Sequence, residues 1–120
     1  MYAEIVSIGH ELLMGEIQDS NAAYLASRLP ALGIQLRWAS IVGDDTAHLV
    51  EVLDRSINRS QITFTTGGLG PTMDDLTREA VAQVMGEQIA EDPHLRKVLE
   101  ERLSPRGIHV GPANLKQATI

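Results

Sequence analysis

The residues best suited to chemistry gather in one stretch, Thr66-Gly67-Gly68-Leu69-Gly70-Pro71-Thr72-Met73-Asp74-Asp75. Its glycines free the backbone to take positive φ and to lie close against a ligand. A helix starting just behind it would turn unpaired N–H groups and the positive end of its dipole toward the same place. Backbone of that kind suits a phosphate. The stretch is no Walker loop, because no lysine follows it, and it lacks the GxGxxG spacing of a dinucleotide fingerprint. The same residue types also make a plain turn into a helix capped by Thr72 or Asp74. If the stretch binds phosphate, Gly68→Val is expected to block the ligand while leaving the fold largely intact.

Carboxylates add a second property. Glu11, Asp44, Asp45, Asp74 and Asp75 each follow a segment that reads as a strand. A phosphate cradle flanked by acids repels its ligand unless a cation lies between them, and carboxylate oxygens suit Mg²⁺ or another divalent ion, transition metals included. Taken singly, Asp44, Asp45 and Asp75 read as helix caps facing water. Taken together, the acids are expected to supply at least one metal ligand, with Asp75 and Asp44 as candidates. Asp74 is the more natural N-cap, which leaves the metal or water role to Asp75.

The first loop, Gly9-His10-Glu11-Leu12-Leu13-Met14-Gly15-Glu16, is followed by Ser20-Asn21, which could bond a ligand or cap a helix. His10 beside Glu11 reads as a solvated loop histidine before it reads as a general base. His48, His94 and His109 have no partner at ligand spacing and read as structural. Neither a Ser-His-Asp set nor an HExxH motif is present. Cysteine is absent, which excludes disulfides, cysteine zinc sites and thiol catalysis and fits a reducing cytoplasm.

To position these residues the chain must alternate strands and helices. Ala3 to Ile8 is a short apolar run closed by Gly9, as in a buried strand. Leu25, Leu29 and Leu32 recur at helical spacing, with Ser20 as candidate N-cap, Pro30 kinking the last turn and Gly33 as the stop. Ile34 to Val42 alternates like a strand near a sheet edge. Leu49, Val52, Leu53 and Ile57 mark a second helix, and Ile62 to Thr66 a third strand. Ala80, Val81, Val84 and Met85 mark a third helix ending at Gly86, and Asp92-Pro93 opens a fourth that ends near Ser104-Pro105. This order predicts an α/β fold, a mainly parallel sheet with helices on both faces in three layers. The loops Gly9–Asn21, Gly43–Thr46 and Gly67–Asp75 should then meet at the carboxyl edge of the sheet.

The composition fits one ordinary domain spanning residues 1–120, with 43% hydrophobic and 22% charged residues and a mean hydropathy of -0.05. Intrinsic disorder and collagen-like repeats are excluded. No apolar run nears the roughly 18 residues of a membrane span, and Met1-Tyr2-Ala3-Glu4 is not an export signal. The net charge of -6 lies in residues 1–75, with four arginines against ten carboxylates, and only Lys97 and Lys116 are lysines. With few clustered cations and few aromatics, no nucleic-acid surface is expected.

The spacings Gly9-x-Glu11-Leu12-Leu13-x-Gly15, Ser20-Asn21, Val42-Gly43-Asp44, Thr66-Gly67-Gly68-Leu69-Gly70-Pro71-Thr72-x-Asp74-Asp75-x-Thr77 and Asn114-x-x-Gln117-Ala118 resemble the N-terminal domain of the CinA, or competence/damage-inducible, family. The resemblance covers almost the whole chain. It implies the MoaB/Mog molybdopterin-binding fold, a cytoplasmic homo-oligomer, and hydrolysis of ADP-ribose to AMP and ribose 5-phosphate with a divalent metal. By position, it implies that Thr66, Gly67, Gly68, Gly70 and Thr72 hold phosphates, Asp74 and Asp75 serve the metal or the attacking water, and Gly9, Glu11, Asn21 and Asp44 complete the pocket. The alternatives are Mog-type adenylylation of molybdopterin, or a non-catalytic nucleotide-binding module for a nicotinamide-mononucleotide deamidase. His10 stands where the family usually has a small polar residue. The chain stops at Ile120, before the family's Gly-Thr-Ala-Pro-Gly-like segment and last strands, so an incomplete domain is expected.

Overall fold

The computed structural model describes residues 1–108 and 111–120. His109 lies outside them. The chain runs through β1 (Tyr2–Ile8), the single-turn α1 (His10–Leu13), α2 (Ser20–Arg28), β2 (Gln35–Val42), α3 (Thr46–Arg59), β3 (Ile62–Thr66), α4 (Thr77–Met85), α5 (Pro93–Leu103) and α6 (Pro112–Leu115). The three strands form a parallel sheet in the order β2-β1-β3. Ala3 through Ile8 are all buried, as a central strand requires, and the two outer strands are partly covered. The register to β2 shifts between Ala3 and Glu4.

The order of the strands decides where the helices go. The β1-to-β2 crossover steps one way across the sheet and the β2-to-β3 crossover steps back over β1. Right-handed connections then put α2 and α3 on opposite faces. On the α3 face, Val6, Ile8 and Val42 pack with Leu49 and Leu53 of α3 and Ala80 of α4 into the apolar core. On the other face β1 buries Ala3, Ile5 and Ser7.

Several local expectations change. Asp19, not Ser20, caps α2, its carboxylate accepting from the Ala22 N–H at 3.1 Å. Pro30 does not kink an α-turn; the chain tightens into a 3-10 turn over Leu29–Leu32 and stops at left-handed Gly33. Leu29 is buried there, but Leu32 is 72% exposed. On α3 the inner face is Leu49, Leu53 and Ser56, while Ile57 is turned outward. On α4, Ala80 is buried and Val81 and Met85 are exposed. Asp45 and Asp92 cap α3 and α5 as the sequence implies, through the N–H groups of His48 and Leu95.

A polar latch anchors α3 to the sheet at the other end from these loops. Glu4, wholly buried, receives Nε of Arg59 at 2.9 Å, the second guanidinium nitrogen at 2.5 Å and the Ser60 hydroxyl at 3.3 Å. The guanidinium stacks on the Trp38 ring, and the Ser56 and Thr63 hydroxyls share a 2.6 Å hydrogen bond. Pairing with Arg59 outweighs burial and holds the Glu4 carboxyl below its usual range.

Candidate functional site

All three strand-ending loops emerge at one edge. Gly9 N–H donates to the Val42 carbonyl at 2.9 Å, a Cβ on Gly43 would touch Leu13 and His10, and Gly67 lies against Ile8. Within that edge the adjacent strands β1 and β3 send their chains to opposite faces. β1 leads to α2, and β3 leads to α4 on the α3 side. Such a switch opens a crevice between neighbouring strand ends. A cavity of about 140 Å³ occupies it, lined by Ile8, Glu11, Leu12, Asn21, Thr66 and Gly67 among others. Binding pockets for drug-sized ligands run from about 300 Å³ upward, so this hollow fits one phosphate or sugar, with the rest of a nucleotide lying across the loops. A larger cavity of about 330 Å³ lies along α4, lined by Val81, Met85 and Ile120 and, among polar residues, by Thr65, Arg78 and Glu87.

The glycine stretch is shaped by what glycine lacks. Gly67 has φ +90° and Gly68 φ +65°; a Cβ on Gly67 would stand 2.1 Å from the Ile8 carbonyl oxygen. A Cβ on Gly68 would stand 2.2 Å from Thr77 Oγ1. The expectation that Gly68→Val spares the fold therefore fails, since the position is closed by the loop's own anchor. Thr77, 2% exposed, is that anchor: its hydroxyl donates to the Gly67 carbonyl at 2.8 Å and its N–H to Gly68 at 3.2 Å. Arg78 donates to the carbonyls of Leu69 and Gly70 at 3.1 and 3.2 Å. Among the described residues the N–H groups of Gly68 and Leu69 meet no acceptor.

The two aspartates behave differently from expectation. Neither caps α4, whose N-cap position is Leu76 and has no side-chain bond. Asp75 folds back onto the loop, one oxygen accepting from the Thr72 N–H at 2.9 Å and hydroxyl at 2.7 Å. The Thr72 hydroxyl, more than the nearby Lys116, draws its carboxyl below the usual aspartate range against the effect of burial. Thr72 thus points both its donors at Asp75. Asp74 is exposed, with no hydrogen bond or ion pair among the described residues. Asn21 donates to the Thr66 hydroxyl at 3.0 Å across the cavity, and the Glu11 carboxylate lies against Gly9. Asp44 is exposed on the turn ahead of α3.

The acids share an edge but do not converge. No three His, Asp or Glu side chains among the described residues are grouped to hold a metal ion. The loops meet as the sequence implies, whereas Asp45 and Asp75 are used for capping and for the loop itself. Sequence reasoning passed over Arg78 and Lys116 as site residues. Arg78 follows the motif closely enough to have been considered, but nothing local to Lys116 signals that it reaches residues 72 and 75.

The family model described as "Probable molybdopterin binding domain" matches residues 4–119. The chain belongs to that family. Within it the chain is 45% identical over 119 residues to a CinA-like protein of Thermomicrobium roseum, covering 99% of this chain and 29% of that protein. The chain thus spans less than a third of the curated relatives it matches. The solved CinA structure from Thermoplasma acidophilum, whose function is described as unknown, superposes with a TM-score of 0.92 at 28% identity, over 100% of this chain and 70% of that one. MoaB from Thermus thermophilus shares the fold, with a TM-score of 0.67 at 21% identity over 97% of this chain and 70% of its own. The molybdopterin-binding-domain architecture of the α/β sheet is thereby established.

Proposed function

We propose that the edge formed by β1 and β3 binds the phosphates of a nucleotide of the ADP-ribose type and that the domain serves their hydrolysis to AMP and ribose 5-phosphate. The observation that carries this is the Gly67-Gly68 turn, which lies beside the crevice and leaves the Gly68 and Leu69 N–H groups without an acceptor among the described residues. Such donors stabilise a phosphate, and more strongly the charge that builds on its oxygens as water attacks. In that step the water oxygen bonds to one phosphorus, the bridging P–O bond breaks, and the displaced phosphate keeps the electron pair. In this reading Asp74, which is exposed and has no hydrogen-bond partner among the described residues, orients the water and accepts its proton. Asn21, Thr66 and Glu11 are placed to hydrogen-bond the sugar or phosphate in the hollow.

The residues do not fit a metal cage made by the protein alone. They fit the common magnesium arrangement of one or two carboxylates with the ligand's own phosphates. When bound there a divalent ion would supply neutralisation of phosphate charge; Asp44 or Glu11 would hold it.

The family description and the MoaB likeness favour a second reading, a molybdopterin phosphate in the same crevice. One experiment separates the possibilities. AMP release from ADP-ribose with Mg²⁺ or Co²⁺, abolished by chelator, supports hydrolysis. AMP transfer from ATP to molybdopterin supports the second. A thermal shift with ADP-ribose but no AMP leaves a binding module.

A further inference from the structure

Lys116 lies far along the chain from the glycine stretch, yet its ammonium sits behind it. It donates to the Thr72 carbonyl at 2.7 Å and to the Asp75 carbonyl, and stands 3.5 Å from a Glu79 oxygen. Its side chain is only 16% exposed. The segment carrying Lys116 is joined to the body where Ala90 and Ile120 exchange both backbone hydrogen bonds at 2.9 Å and the Asp92 N–H donates to the Ala118 carbonyl at 2.8 Å. Lys116, with Pro112 and Ala113 beside it, is where this segment meets Thr72.

From these contacts we infer that Lys116 is a positioning residue for the glycine stretch, clamping the Thr72 and Asp75 carbonyls from behind and so fixing the shape of the loop that carries the proposed phosphate donors. The physical reason lies in the trans peptide, where each N–H points opposite to the carbonyl of the preceding residue. Drawing the Thr72 and Asp75 carbonyls toward a cation turns the Met73 and Leu76 N–H groups the other way. Arg78 holds the Leu69 and Gly70 carbonyls from the helix side. The two cations also offset the carbonyl partial charges that would repel an anion. Arg78 Nε and Glu79 Oε2 are buried without partners among the described residues. No lysine within the loop is needed; the charge arrives from the far segment.

The test uses Lys116→Met, which keeps an apolar stem and loses the donors, and Arg96→Ala, which cuts the segment's own ion pairs with Glu91 and Glu100 without touching the loop. Amide exchange is read for residues 69–76 and for the sheet, and ADP-ribose affinity is measured with Mg²⁺. The binding arm rests on the proposed phosphate reading and the exchange arm does not. Lys116→Met is expected to speed loop exchange and to weaken ADP-ribose by about tenfold or more, the scale of a lost charge-assisted bond, with sheet amides as protected as before. Arg96→Ala is expected to change neither. Unchanged loop exchange in Lys116→Met overturns the clamp, as does equal loosening in Arg96→Ala. Loosened loop exchange with unchanged affinity overturns its link to the site. Loosened exchange in a chain whose unaltered form ignores ADP-ribose supports the clamp and removes ADP-ribose as the ligand.

Discussion

Asp74 and Asp75 are adjacent in sequence and opposite in use, and that difference can be measured. Asp75 closes the loop through Thr72, so Asp75→Asn should loosen the loop, lowering both the melting temperature and ligand affinity. Asp74 has no partner among the described residues, so Asp74→Asn should leave the melting temperature unchanged while AMP formation falls by roughly two orders of magnitude, the scale of a positioned catalytic group. Full activity in Asp74→Asn would return that acid to the solvated surface. The anchor behind them gives a second comparison: Thr77→Val strips the Gly67 carbonyl of its buried donor and should cost roughly 1–2 kcal/mol in urea unfolding.

At the scale of elements, the joint between α3 and the sheet depends on a carboxylate that water does not reach. Removing Arg59 leaves Glu4 buried and unpaired, so Arg59→Met should lower the melting temperature on the order of 10 °C. The double change Glu4→Leu with Arg59→Met should recover part of that loss, because the uncompensated charge goes with the pair. The same group sets a pH dependence. The folded-state pKa of Glu4 is lowered by Arg59 and that of Asp75 by Thr72. Their stabilisation is therefore full above the unfolded carboxylate value and lost as pH falls through the lower folded values. Melting temperature should drop below about pH 4, and Glu4→Gln should flatten that drop. A Glu4→Gln curve as steep as the original would contradict the assignment.

At the scale of the whole molecule, a ligand that binds only the folded chain must raise its stability. ADP-ribose with a divalent ion at a hundredfold excess over Kd should raise the melting temperature on the order of 10 °C. Absence of any shift with either ADP-ribose or a molybdopterin would leave the crevice without its proposed class of ligand. Among the described residues no helix is long and apolar enough to cross a membrane, as the hydropathy of the sequence implies.

The sequence by itself determined the elements and their order. Periodicity and glycine stops are local properties, so β1, α3, β3 and the start of α5 were legible from short windows, and parallel pairing followed from the connections. The glycine stretch was legible too, because positive φ is a property of the residue. What Asp19, Ile57 and Val81 do was less legible. Competing caps and the direction of a helix face depend on neighbours distant in sequence. The tertiary structure alone decided that Asp75 serves Thr72, that no three acids among the described residues group to hold a metal ion, and that Lys116 stands behind the loop. Those outcomes are set by the distances and directions at which the packed elements bring side chains together, which no spacing along the chain records.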